Sequence, residues 1–139
     1  MSFTLAVETP SHVVGSSSKA VIAGRILSGI AALFLTFDAV VKVLALPMAV
    51  EGTVQLGYPE SIIVPLGLIQ VVFLIAYLVP RTSVLGAILW TGYLGGAVAT
   101  HVRLGNPLFA YTLTPIYVAA FIWAGLWLRD RRVRALLQA

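Results

Sequence analysis

The residues best suited to chemistry lie within an apolar stretch of the sequence. Asp38 and Lys42 are four residues apart in the run LFLTFDAVVKVLAL, a spacing that places both side chains on one face of a helix. A helix that enters the membrane near Ile26 carries Asp38 roughly 18 Å into a hydrocarbon core about 30 Å thick. Because an ionised carboxylate at that depth costs at least about 3 kcal/mol, we expect Asp38 to face the protein interior and pair with Lys42.

Further polar side chains follow in the run WTGYLGGAVATH, which contains Tyr93, Thr100 and His101. His101 lies near the outer end of its helix, at a depth similar to that of Lys42, so these groups could converge on one pocket. In that pocket Asp38 would be a base or an ion-pair anchor and His101 a proton donor or acceptor. The other candidate pocket residues are Lys42, Glu51 (a gate or second carboxylate), Gln70, Tyr93, Thr100 and Tyr111.

A purely structural interpretation of the same residues stays open. The pair of Asp38 and Lys42 could lock two helices together, with His101 as an interfacial histidine. Polar residues elsewhere in the helices could form interhelical hydrogen bonds. Gly92 and Gly96 make a small-xxx-small pattern, which predicts a ridge where two helices pack closely.

These residues must be positioned by membrane-spanning helices. The chain of 139 residues is 60% hydrophobic and 10% charged, and its mean hydropathy is +0.99, which excludes a soluble globule. Four apolar segments have about the length that a span requires, and none shows the alternation of an outer-membrane strand. We predict an all-α fold, a four-helix transmembrane bundle, with helices at about residues 21–46, 61–79, 82–104 and 108–128. A mobile N-terminal tail (1–20) and a basic C-terminal tail (129–139) flank this membrane domain (21–128).

The links between the segments predict the topology. Tight turns at residues 79–83 and 105–107 make the last three helices antiparallel neighbours, and residues 47–60 are predicted to include a short interfacial helix. Most basic residues, including the run RDRRVR, fall on one side of the four spans. The positive-inside rule then predicts a multi-pass protein of the cell membrane with both termini cytoplasmic. A C-terminal fusion reporter that reads out as extracytoplasmic would contradict this.

Several kinds of function are excluded by the residues that the chain lacks. It contains no cysteine, which rules out thiolate metal sites and any dithiol relay. No His-x-x-x-His pair, phosphate-binding glycine loop or nucleophile elbow is present, so no metal site is predicted. The basic tail is typical of a membrane flank, where it could meet anionic membrane lipids, and does not indicate nucleic-acid binding.

Three stretches carry a resemblance to a known family: LGYPES, GAILWTGYLGGAVATHVRLGNPLF and LWLRDRRVRALL. The chain resembles the DoxX-like family over roughly residues 24–137. The wider group takes its name from a small subunit of an archaeal thiosulfate and quinone oxidoreductase. The resemblance therefore implies a four-helix membrane protein with a redox association and a quinone as a possible cofactor, and it transfers no catalytic residue. Without cysteines, such a role would not be thiol-based.

Two hypotheses of different classes follow. In the first, the bundle binds a lipophilic small molecule, quinone-like or a similar metabolite, in the outer-half pocket around Asp38, Lys42 and His101, and could perform acid and base chemistry on it. In the second, the chain is an accessory subunit without a site of its own that docks on another membrane protein or on a second copy of itself. The sequence does not decide whether the protein is an enzyme. A transporter is the weaker third candidate, because no internal repeat is evident.

Overall fold

The computed structural model describes residues 18–139, so the predicted mobile tail lies almost entirely outside the described residues. Four long helices are apolar enough to cross a membrane, as the sequence predicts. The first helix starts three residues earlier than predicted, and the basic C-terminal tail contains a short helix. In chain order the elements are α1 (Ser18–Val43), α2 (Pro47–Gln55), a 3-10 turn (Glu60–Ile62), α3 (Ile63–Leu78), α4 (Ser83–Arg103), a π-helical turn (Leu108–Thr112), α5 (Thr114–Arg129) and α6 (Arg131–Leu137).

The long helices form a ring in which α1 packs on α3 and α5, and α4 packs on the same two helices. Helices α1 and α4 therefore stand at opposite corners. We call the end that carries the start of α1 and the end of α5 the terminal end, and the opposite end the distal end. Short α2 lies between α1 and α3 at the distal end, which agrees with the predicted interfacial helix.

Close helix approach depends on glycines in the terminal half of the bundle. A Cβ atom built on Gly125 would lie 2.7 Å from the backbone nitrogen of Ser28, and one on Gly24 would lie 2.8 Å from the carbonyl oxygen of Gly125. Gly24 and Ser28 form a small-xxx-small pair on α1, which lets the backbones of α1 and α5 touch. At the crossing of α3 and α4, a Cβ atom on Gly86 would lie 2.5 Å from Tyr77 Cα.

The predicted packing role of Gly92 and Gly96 is wrong. A Cβ atom on either glycine would meet nothing within 4 Å among the described residues. Helix α4 does not pack on α1, so the two glycines face a space between opposite corners of the ring. The pattern of small residues was real, but here it opens a cavity.

A polar cluster locks the terminal half of the bundle. Tyr77 is fully buried, and its hydroxyl group lies within hydrogen-bond distance of Ser28 Oγ, at 2.9 Å, and of the carbonyl oxygen of Ile122, at 3.0 Å. The Arg129 guanidinium donates to the same Ser28 oxygen at 2.9 Å and lies over the Tyr77 ring, 5.3 Å from its centre. These contacts join α1, α3 and α5 through groups that are satisfied within the protein, so the cluster is structural.

Asp130 caps α6 and connects it to the turn between α3 and α4. Its side chain accepts a hydrogen bond of 2.9 Å from the backbone nitrogen of Arg132 and one of 3.0 Å from that residue's guanidinium group. The same guanidinium group donates to the carbonyl oxygen of Pro80 at 2.6 Å. Hydrogen bonding by Arg132 lowers the pKa of the Asp130 carboxyl group.

This lowered pKa predicts an acid-induced release of α6. A carboxyl group whose pKa is lower in the folded state stabilises that state above its unfolded pKa of about 3.9, and the stabilisation is lost as the pH falls through the folded pKa. We expect the amide protection factors of α6, measured by hydrogen exchange, to decrease when the pH falls below about 4. In Asp130→Ala these protection factors should already be low at neutral pH, and they should not decrease further in acid. An α6 equally protected at pH 3 and pH 7 would contradict the assignment.

Candidate functional site

The carboxylate of Asp38 is held by partners from two helices. Lys42 pairs with Asp38 Oδ2, as predicted, and the amide nitrogen of Gln70 on α3 donates to the same oxygen at 2.6 Å. The Lys42 side chain is only 16% exposed, so this is a largely buried ion pair. Asp38 Oδ1 receives no hydrogen bond from the described residues, and its side chain stays 35% exposed. One carboxylate oxygen is thus engaged and the other is open.

Gln70 holds the Asp38 carboxylate from the side of α3. It is fully buried in the middle of α3, and its Oε1 atom has no hydrogen-bond partner among the described residues. An amide that donates to a carboxylate must turn its oxygen away, which leaves that oxygen unpaired in the core. An unpaired buried acceptor costs about 1–3 kcal/mol, and the hydrogen bond to the Asp38 carboxylate offsets that cost.

The open side of Asp38 borders a cavity of about 680 Å³ between α1, α4 and α5 in the distal half, which we call the main cavity. Its polar lining includes Asp38, Lys42, Tyr93, Thr100 and His101, together with Thr53, Tyr58, Tyr111 and Thr114. The apolar lining includes Phe34, Leu66, Leu94, Pro115 and Val118, with the bare backbone of Gly92 and Gly96 between them. This combination of an apolar wall and a few convergent polar groups is typical of a small-molecule site.

A second cavity of about 510 Å³, the side cavity, lies between α1 and α2 and shares the Asp38, Lys42 and His101 lining with the main cavity. Residues 47–60 cover the distal end of both. This covering segment is tied to α4 by a hydrogen bond of 2.9 Å between the hydroxyl groups of Tyr58 and Thr100, and by one of 2.9 Å from the Arg103 guanidinium to the carbonyl oxygen of Leu56. Both hydrogen bonds hold the covering segment against α4.

His101 is oriented by the turn that follows its own helix. Its Nδ1 atom lies 2.8 Å from the side-chain amide nitrogen of Asn106, and its ring stacks on Tyr111 at 6.1 Å between centroids. An amide nitrogen can only donate, so in this arrangement Nδ1 accepts and the ring proton lies on Nε2. His101 lines both cavities, and Nε2 has no partner among the described residues. The ring therefore offers a donor to an occupant of the cavities.

The structure brings most of the predicted site residues together. Asp38, Lys42, Tyr93, Thr100, His101 and Tyr111 all line the main cavity, whereas Gln70 contacts Asp38 from outside the lining. Glu51 is exposed on α2 and lines neither cavity, so it does not join them. Within residues 18–139, no group of three His, Asp or Glu side chains could hold a metal ion.

Sequence reasoning missed Tyr58 and Asn106. Asn106 had a recognisable signal, because it follows Gly105 in the turn after α4, where the chain folds back on the helix end. The φ angle of Gly105 is +66°, and the backbone nitrogen of Asn106 donates to the carbonyl oxygen of His101 at 3.1 Å. Tyr58 gave no such signal, because its partner Thr100 is 42 residues away.

Comparison with known proteins identifies one family. The family model described as the DoxX-like family matches residues 26–125, most of the chain and all of the residues around Asp38 and His101. No curated protein and no solved structure matches the chain.

Proposed function

The chain belongs to the DoxX-like family, and we propose that this multi-pass membrane protein binds a lipophilic small molecule in its main cavity. The observation that supports the proposal most directly is the open Asp38 carboxylate oxygen beside an apolar space. A residue that only locked helices would not need to turn one carboxylate oxygen toward an apolar cavity.

The glycines of α4 support the same proposal. Glycine weakens a helix by roughly 0.5–1 kcal/mol relative to alanine, and Gly92 and Gly96 recover nothing by close packing. Both line the main cavity, where any side chain would reduce its volume. Bare backbone at these two positions is explained by an occupant that needs the room.

Asp38 and His101 are the groups that could exchange a proton with the occupant. Asp38 offers an acceptor at Oδ1, and His101 offers the Nε2 proton. A paired acceptor and donor is the minimum that general acid and base catalysis requires, so turnover of the bound molecule is part of the proposal. The quinone that the family resemblance implies belongs to this class of lipophilic ligand.

Filling the main cavity is expected to remove the ligand while leaving the protein folded. Gly96→Leu places a side chain in the cavity where a Cβ atom meets nothing within 4 Å. The matched control is Gly95→Leu, because Gly95 is equally open but faces away from both cavities. Each variant is purified in detergent, and the lipophilic molecules that accompany it are identified by mass spectrometry.

We expect a molecule to accompany the wild type and Gly95→Leu and to be absent from Gly96→Leu. A molecule that stays with Gly96→Leu would place binding outside the main cavity. A wild type that carries a stoichiometric protein partner and no small molecule would favour the accessory-subunit hypothesis instead.

We also propose that the protein resides in the cell membrane with both termini in the cytoplasm. Among the nine basic side chains of the whole sequence, all except Lys42 and Arg103 belong to the terminal end. Glu51 and Glu60 belong to the distal end. This asymmetry supports the proposed orientation by the positive-inside rule, and in that orientation the main cavity would lie in the outer half of the membrane.

A further inference from the structure

The hydrogen-bonding state of the Asp38 carboxylate restricts which lipophilic molecule fits the main cavity. Lys42 and Gln70 both donate to Oδ2, and no described residue donates to Oδ1. Ionised carboxylates accept hydrogen bonds on both oxygens, and a hydrogen bond to a charged acceptor is stronger than a neutral one. Asp38 Oδ1 is therefore free to accept a hydrogen bond from a ligand at this end of the cavity.

The local charges exclude a charged ligand. The charges of Asp38 and Lys42 cancel each other, and no further acidic or basic side chain with a fixed charge lines the main cavity. An anion would be repelled by the open carboxylate oxygen of Asp38. A cation would compete with Lys42 for that carboxylate, and the charge of Lys42 would then be left unpaired. Since an unpaired charge is costly at membrane depth, a neutral group is favoured at this point.

The other residues that line the cavity indicate the polarity of the rest of the ligand. Beyond the polar end, the wall consists of Phe34, Leu66 and Val118 with the bare backbone of Gly92 and Gly96. Such a wall accepts an apolar body, and the hydroxyl groups of Tyr93, Tyr111 and Thr114 lie among its apolar side chains. A molecule that fits both ends is therefore an uncharged amphiphile with a donor at one end.

We propose that the main cavity selects a neutral lipophilic molecule that carries a hydroxyl group, and that this hydroxyl group donates to Asp38 Oδ1. The inference rests on the proposed ligand-binding function and narrows it. An acceptor-only molecule, such as an ether or a quinone, leaves Oδ1 without a donor. A phenol or an alcohol provides the donor and can accept the His101 Nε2 proton on the same oxygen.

A pair of matched probes tests the hydroxyl group alone. Para-octylphenol and its methyl ether, para-octylanisole, share an apolar body, and only the phenol can donate. Each probe is titrated into the full-length protein in dodecyl maltoside micelles, and native mass spectrometry counts protein with and without bound probe. Because a hydrogen bond to a charged acceptor is the difference, we expect the phenol to bind about tenfold more tightly than the ether. Para-octylbenzoate, an anion, is expected to bind no better than the ether.

Two variants test whether the preference for the phenol depends on the Asp38 carboxylate and on the main cavity. In Asp38→Leu/Lys42→Met both charges are removed together, so no single charge is left unpaired, and the tenfold preference for the phenol should disappear. In Gly96→Leu neither probe should bind. Equal binding of phenol and ether to the wild type, with both excluded by Gly96→Leu, would overturn the hydroxyl inference and leave the proposed ligand-binding function standing.

The remaining outcomes are also decisive. Preference for the phenol that persists in Asp38→Leu/Lys42→Met would overturn the role of Asp38. Failure of the wild type to bind either probe would overturn both the inference and the proposed function. Tighter binding of the benzoate than of the phenol would show that the ion pair opens for an anion, and would replace the neutral ligand with a charged one.

Discussion

Asp38→Leu is expected to lower the free energy of unfolding by about 3 kcal/mol, the lower end of the cost of breaking a buried ion pair. The substitution leaves the Lys42 ammonium group, only 16% exposed, without a counter-charge, and it removes the acceptor of the Gln70 amide. The lower end applies because the Asp38 side chain is one-third exposed to the cavities. Unfolding titrations in mixed micelles of dodecyl maltoside and dodecyl sulfate measure the change.

A double-mutant cycle separates the unpaired charge from the lost contact. Lys42→Met in the Asp38→Leu background is expected to restore most of the lost stability, because a buried pair replaced as a unit by apolar residues is often neutral. If the double variant were as unstable as the sum of the two single variants, Asp38 and Lys42 would not act as a pair. Recovery of stability without recovery of ligand binding would show that the pair serves the site more than the fold.

Gly86→Ala is expected to destabilise the bundle by about 3 kcal/mol, the upper end of the usual cost of overpacking. The added Cβ atom would lie 2.5 Å from Tyr77 Cα and 2.7 Å from the carbonyl carbon of Ala76, so backbone must move and α3 must separate from α4. The same unfolding titration measures the loss, and a second readout is the amount of folded protein extracted from membranes.

The control for this substitution is Gly92→Ala on the same helix. Its Cβ atom meets nothing within 4 Å, and alanine raises the helix propensity, so we expect a gain of roughly 0.5–1 kcal/mol. Similar losses in both variants would mean that glycine contributes to α4 through backbone flexibility. A loss at Gly86 alone would support direct contact of α3 and α4.

Local chemistry of the site could be predicted from the sequence, but its packing could not. The pair of Asp38 and Lys42 depends only on helical spacing and the cost of charge in hydrocarbon, and both are visible in the sequence. Which glycine contacts a neighbouring helix depends on where two helices cross. For that reason the Gly92 and Gly96 pattern was misread, whereas Gly24 and Gly125 carry the actual close approach.

The hydrogen bonds of the site that join distant segments could not be predicted from the sequence either. The hydrogen bonds of Gln70 with Asp38 and of Tyr58 with Thr100 join segments 32 and 42 residues apart, and each requires a helix rotation that hydropathy does not define. The four spans themselves were predictable, because the length of an apolar segment is set by the thickness of the membrane.

The position of the main cavity determines how the ligand concentration must be expressed in a binding measurement. Phe34 and Tyr111 line the cavity and are 49% and 55% exposed, and residues of the segment 47–60 line its distal end. A ligand that entered between these two side chains would come from the surrounding lipid, after it had already left water. Occupancy then follows the mole fraction of the molecule in the bilayer or micelle, and doubling the detergent at constant total ligand should halve the apparent affinity.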